Sequence, residues 1–134
     1  VDYQLSDLCP VVGDQTQLQQ VVLNVLNNAV EAASDAPHPP GRVVVKSFCT
    51  DSEVVLKVSD NGPGISEDMR HSVFELFKTS KSEGMGVGLW LSKTVVNAHL
   101  GDILFDSRFG QGTCFEVRLP VDQLHIADQQ RSVA

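Results

Sequence analysis

Three glycine-bearing segments cut this chain at fixed places and confine its regular structure to the stretches between them. They read Asp60-Asn61-Gly62-Pro63-Gly64-Ile65, Gly84-Met85-Gly86-Val87-Gly88-Leu89 and Gly110-Gln111-Gly112-Thr113. Glycine admits turns and close backbone approaches that other residues resist, so each segment marks the end of an element. Ahead of the first cut, Asp14 reads as an N-cap, with Gln17 three residues later completing a capping-box pattern. Leu18, Val21, Val22, Val25, Ala29, Ala32 and Ala33 then recur at helical spacing, which predicts a helix over 15–34. Residues 35–41, with three prolines, end it. Residues 42–50 and 53–59 are rich in valine and separated by Asp51-Ser52, an antiparallel hairpin. The first glycine segment follows directly and therefore sits at a strand's C-terminal end.

The remaining elements are read the same way. Residues 3–8 form a short leading strand, and Ser66 caps a short helix running to about Val73. Residues 78–85 are polar and glycine-ended, the pattern of a mobile loop. A second long helix covers 86–98 and buries some combination of Leu89, Leu91, Val95 and Val96, with Trp90 read as core. Residues 102–107 and 113–119 are strands joined by the third glycine segment. The order β-α-β-β-α-loop-α-β-β predicts an α/β two-layer sandwich, a mixed and mostly antiparallel sheet with helices on one face. It lacks the strict alternation of a doubly wound dinucleotide fold. Residues 1–120 make one domain, and the polar stretch 121–134 reads as a frayed tail.

Bulk properties narrow the function. With 134 residues, 42% hydrophobic and 20% charged, the chain is long enough for one domain with a core and too short for two. A formal charge of −7 argues against nucleic-acid binding, which needs a basic face. No apolar run reaches the ~18 residues of a membrane span, and no basic leader precedes an apolar run at the N-terminus. Because the chain starts with valine, it reads as part of a longer protein. Cys9, Cys49 and Cys114 form no C-x-x-C pair, which favours reduced, partly buried thiols in a cytoplasmic protein over a zinc site.

Four constellations carry chemistry. Asn24 and Asn28 share one helix face, with Gln20 and Glu31 extending the stripe. Asparagine is a poor helix former, so the stripe is either an exposed polar face or a set of amide oxygens for Mg²⁺, which takes few protein ligands and bridges to phosphates. Asp60, at a strand end before glycines, is either part of a plain turn or an acceptor for the exocyclic amine of adenine that rejects the guanine carbonyl. Gly84, Gly86 and Gly88 open a helix whose free N–H groups attract an anion, although the spacing fits neither a dinucleotide fingerprint nor a P-loop. Lys78 and Lys81 in the preceding loop either close over phosphates or remain solvated charges.

Taken together, these segments resemble the catalytic ATP-binding domain of two-component sensor histidine kinases. The resemblance runs from about Asp14 to Pro120 and includes the family's motifs in order. Asn24 and Asn28 fall in its N box, Asp60 to Ile65 in its G1 box, Phe74-Glu75-Leu76-Phe77 in its F box, Gly84 to Leu89 in its G2 box, and Gly110-Gln111-Gly112-Thr113 in its last glycine motif. Asn28-Ala29-Val30-Glu31-Ala32 and Thr79-Ser80-Lys81 look closest to the oxygen-sensing and nitrogen-regulatory branch.

The resemblance implies the Bergerat fold with ATP and Mg²⁺ as ligands. It gives Asp60 to adenine, with Gly62, Gly64 and Ile65 lining the base and Thr113 supporting it. It gives Mg²⁺ to Asn28, a place beside the phosphates to Asn24, and a lid over the γ-phosphate to Lys81 and the backbone of Gly84, Gly86, Val87 and Gly88. Phe77 and Leu89 join the nucleotide-binding residues, and Phe74 and Phe77 would couple the lid to the partner domain. Asn24 and Lys81 would be catalytic. Many family members carry lysine where this chain has Glu31.

The implied reaction transfers the γ-phosphoryl group to a histidine on a separate helical dimerisation domain of the same kinase. A response-regulator receiver domain is served indirectly. The isolated chain is expected to be monomeric and cytoplasmic, without direct membrane contact, even where the parent is a membrane-bound sensor. None of His38, His71, His99 and His125 has the long helix and adjacent acidic residue of a phosphoacceptor, so self-phosphorylation is not expected. Two alternatives stand beside this one. The ATPases gyrase, MutL and Hsp90 and the anti-sigma kinases share the fold but place a glutamate base where this chain has Asn24. The other is a nucleotide-binding docking module without catalysis.

Overall fold

The computed structural model describes residues 1–6, 10–74 and 86–122, the side chain of Val87 excepted. Its elements are β1 (Asp2–Leu5), α1 (Gln15–Ser34), β2 (Val43–Cys49), β3 (Glu53–Asp60), α2 (Glu67–Arg70), α3 (Gly86–Ala98), β4 (Asp102–Arg108) and β5 (Gly112–Pro120). The five strands form one sheet in the order β1-β2-β3-β5-β4. β1 runs parallel to β2, and every other pair is antiparallel. α1 and α3 pack on each other and on the same side of the sheet, which gives the expected two-layer sandwich.

α1 begins where Asp14 accepts the Gln17 N–H at 2.9 Å, satisfying one of the open donors of the first turn. The Asp14 N–H itself donates to His99 Nε2, so a distant ring takes the place of the reciprocal half of a capping box. Val21, Val25, Ala29 and Ala33 form the buried stripe of α1 and meet Val95 and Val96 of α3 in a core with Val43, Val45, Val58, Ile103, Phe115 and Val117. The small side chains of α1 let the helix lie close to the sheet.

Several details depart from the sequence reading. The first strand stops at Leu5, pairing with β2 only as far as Ser47. α2 is a single turn, and Ser66 makes no side-chain cap to it. Val22 is not core: it is 44% exposed, and with Val11, Leu18, Leu23 and Leu26 it lines an open groove of about 620 Å³. Trp90 and Leu91 are likewise exposed, whereas Ser92 between those residues and Val95 is fully buried. α3 thus turns a polar residue toward α1 and its tryptophan outward, the reverse of a simple hydrophobicity ranking. Beyond β5, Val121 is buried and donates to Ser52 O, and Asp122 N–H donates to Pro10 O. No helix among the described residues is long and apolar enough to cross a membrane.

Candidate functional site

The site is built on one row of the sheet. The register places Asp60 of β3 opposite Thr113 of β5, and Thr113 opposite Ser107 of β4. Directly paired residues share a face, so the row carries three polar side chains side by side. All three are buried, Asp60 to 8% exposure. A carboxylate so enclosed is costly unless it is engaged. Asp60 Oδ1 accepts the Gly62 N–H at 2.9 Å, and Oδ2 is sealed from bulk solvent. Ser107 and Thr113 hydroxyls are 2.8 Å apart.

Ser107 is the residue the sequence reading missed. Its Oγ accepts the Ile65 N–H at 2.8 Å and donates toward Gly112 O, while its carbonyl accepts from Arg70 Nη1. One serine on β4 therefore ties the turn after β3 to the turn before β5. The register across the 109–112 turn was the available signal, since it sets Ser107 beside Thr113.

The first and third glycine segments also meet through the backbone, Gly110 N–H donating to Pro63 O at 2.6 Å. Gly112 has φ +118°, a conformation open to glycine, and any Cβ there would strike the Asp60 carbonyl. Gly62 lies against α1, where a Cβ would stand 2.5 Å from Ala32 O. Gly64 stands in the same turn at φ +79°. Asn61 is a strut of that turn: its Oδ1 accepts Arg42 N–H and its Nδ2 donates to Pro40 O. Ile65 is half-buried beside the core.

α1 forms the floor that joins these turns to α3. Ala32 lies under Gly62, and Asn24 reaches α3, its Nδ2 standing 3.3 Å from both Gly88 O and Ser92 Oγ. Asn28 is half-buried between them, one turn from each. Eight residues of helix separate the two contacts, about 12 Å at 1.5 Å per residue. Among the described residues, a Cβ at Gly88 would stand nearest to Asn24 side-chain atoms, none closer than 3.7 Å. Leu89 is half-buried against the core, and Gly86 opens the helix.

Among the sequence-predicted site residues, the structure thus brings together Asp60, Gly62, Gly64, Ile65 and Thr113 at the sheet end, and Asn24, Gly88 and Leu89 at the start of α3. Phe77, Lys81 and Gly84, with Lys78, lie outside the described residues, as does the Val87 side chain. Of the histidines, His38 and His71 are exposed, His99 is bonded through both ring nitrogens, and His125 lies outside the described residues.

Charge near the sheet is locally balanced. Burial alone would raise Glu116, but the Arg118 and Lys57 hydrogen bonds outweigh it and hold the carboxyl below its usual value. The hydrogen bond from Lys93 at 2.7 Å likewise lowers Asp102. No cluster of three His, Cys, Asp or Glu side chains able to hold a metal occurs among the described residues. A cation here would rely on an amide oxygen and on ligand phosphates, the donor set magnesium accepts.

Comparison with known proteins identifies the family and the fold. Residues 13–123 match the family described as histidine kinase-, DNA gyrase B- and HSP90-like ATPase. The C4-dicarboxylate transport sensor protein DctS of Rhodobacter capsulatus is 38% identical over 113 residues, 84% of this chain and 17% of that protein. The chain therefore spans about a sixth of that relative's length. The mycobacterial sensor histidine kinase MprB superposes with a TM-score of 0.72 at 36% identity, covering 90% of this chain and 81% of that one. Full-length ShkA in complex with AMPPNP superposes with a TM-score of 0.75 at 29% identity, over 90% of this chain and 25% of that one. The chain belongs to the family of histidine kinase-, DNA gyrase B- and HSP90-like ATPases, and within it to the catalytic domains of sensor histidine kinases.

Proposed function

We propose that this domain binds Mg-ATP across α1, between the Asp60 turn and the start of α3, and donates the γ-phosphoryl group to a histidine on a separate helical dimerisation domain. The observation that carries this reading is the position of α1. A single helix face runs from the turn bearing a buried carboxylate, past Asn28, to the glycine-rich N-terminus of α3. Asp60 accepts from the adenine amine, with Thr113 and Ser107 holding the row in place. The N–H groups of the first turn of α3 face the phosphates, favoured by the helix dipole. That local potential offsets the net charge of −7.

Magnesium fits the Asn28 amide oxygen, and when bound it supplies neutralisation of phosphate charge. In the transfer, the P–O bond to the β-phosphate breaks as a P–N bond forms to the acceptor imidazole, and ADP leaves. The similarity to ShkA, described in complex with AMPPNP, supports the nucleotide class. Lys81 and Gly84 are proposed to close over the γ-phosphate, with Phe77 coupling them to the partner domain, and the response regulator follows downstream of the acceptor histidine.

Asn24 also bears on the competing ATPase reading. An amide held by Gly88 and Ser92 has no basic lone pair to take a proton from water, so rapid hydrolysis lacks its general base. Calorimetric titration with ATP and GTP, with and without Mg²⁺, tests the pocket in the wild type and in Asp60→Asn. Adenine-selective binding lost in the variant is the expected result; no binding by the wild type overturns the reading. Mixing with the dimerisation domain of the parent kinase and ATP is expected to give phosphohistidine on that domain and none on this chain. Steady hydrolysis at about 1 s⁻¹ or faster by the chain alone favours the ATPase reading instead.

A further inference from the structure

We propose that the C-terminal segment of this chain seats Leu124 and Ile126 in the groove on α1. Val11, Leu18, Val22, Leu23 and Leu26 line that groove, which has a volume of about 620 Å³. Val22 is 44% and Leu23 49% exposed, so two large aliphatic side chains of one helix flank meet water. An apolar surface left open in this way is a place where something docks.

The path of the chain says what covers it. Beyond β5, Val121 is buried, and its N–H donates to Ser52 O in the turn between β2 and β3. The Asp122 N–H then donates to Pro10 O at 2.8 Å. Pro10 adjoins Val11, a wall of the groove. Residues 123–134, which lie outside the described residues, therefore start at its rim. They begin Gln123-Leu124-His125-Ile126 and turn polar at Asp128-Gln129-Gln130-Arg131. In an extended chain alternate side chains share one side, and four residues beyond Asp122 reach about 13 Å at ~3.3 Å each. Leu124 and Ile126 have both the spacing and the reach to enter the groove together.

The groove and the asparagines occupy opposite flanks of α1. At 3.6 residues per turn, Val22, Leu23 and Leu26 fall on one side of the buried stripe Val21, Val25, Ala29 and Ala33, and Asn24 and Asn28 on the other. Asn24 faces α3. The segment thus braces α1 from the side away from α3 and leaves the asparagine flank uncovered. It does so whether or not the Mg-ATP reading holds.

Methyl NMR on the whole chain reads the contact. Nuclear Overhauser effects are expected between Leu124 or Ile126 and Val22, Leu23 or Leu26. Leu124→Ser and Ile126→Ser, introduced together, are expected to shift the groove methyls and to lower the urea midpoint. Val22→Ser, at an exposed position, should lower it too, and all three changes combined should lower it by less than the sum. Absence of those Overhauser effects, or groove methyls unmoved by the two tail substitutions, overturns the proposal. Fully additive stability changes overturn the direct contact. Groove methyls that shift with chain concentration instead mark a second copy as the occupant, and methyls that shift only on adding the helical dimerisation domain mark that partner; either result overturns the proposal.

Discussion

Asp14 and His99 lie 85 residues apart in sequence and are joined by a hydrogen bond of 3.0 Å from the Asp14 N–H to His99 Nε2. His99 Nδ1 stands 2.8 Å from the Val95 carbonyl, which can only accept. The proton is therefore on Nδ1, and Nε2 carries the lone pair that receives the Asp14 N–H. Gly13 leaves room for the ring, since a Cβ there would stand 2.8 Å from Nε2. The start of α1 is thus clasped to the end of α3 at the side of the helix layer away from Gly62. His99→Ala is expected to lower stability by about 1 kcal/mol in urea denaturation, the worth of one such bond. His99→Gln, which keeps an acceptor, should recover part of it.

Ser107→Ala tests the polar row. The change leaves the Ile65 N–H and the Thr113 hydroxyl short of a partner in a buried setting. A loss of about 1–3 kcal/mol is expected. ATP affinity should fall as well, because the turns on both sides of Asp60 lose their common anchor. Thermal denaturation and calorimetry on the same sample check the two parts.

Gly62→Ala places a methyl group 2.5 Å from the Ala32 carbonyl. Either the turn or α1 must shift, at about 1–3 kcal/mol for overpacking. Since the Asp60 turn rests on α1 at this point, adenine-nucleotide binding is expected to weaken more than Ser107→Ala weakens it. Binding equal to wild type would show that the turn yields without moving Asp60.

Glu116 links pH to stability. Its carboxyl is held below the usual 4.5 by Arg118 and Lys57 against the opposing effect of burial. A carboxylate lowered in the folded state contributes stability that is fully present above its unfolded value and is lost as pH falls through the folded one. Glu116→Gln is therefore expected to be less stable than wild type at pH 7. The difference should shrink as pH falls below about 4.5, measured by urea denaturation across the acid range.

Asn28→Ala separates metal from nucleotide. ATP affinity measured in a chelator should stay within about threefold of wild type, while the gain on adding Mg²⁺ should largely disappear. Isothermal titration in the two buffers reads the difference directly.

Much of this molecule was legible in one dimension because the signals are local. The helical period from Leu18 to Ala33, the Asp14 cap and the valine hairpin each report on neighbours a few residues away, and α1, β2 and β3 appear where those patterns put them. The order of the glycine segments likewise carried the family. What the sequence left undecided is everything that depends on which face meets which. Val22 and Trp90 fit an apolar pattern but lie outside the layer contacts, while Ser92 and Ser107 look like surface residues and are buried. Their places follow from packing α3 on α1 and β4 on β5, where a polar group is tolerated only with a partner. Asn24 finds its partners in Gly88 and Ser92, more than sixty residues away, and Asp14 finds His99. By itself the sequence determined the main elements, their order and the family. The tertiary structure alone decided which serines are buried, which partners Asn24 takes and which helix faces meet, because hydrogen bonds and burial are satisfied between elements rather than along them.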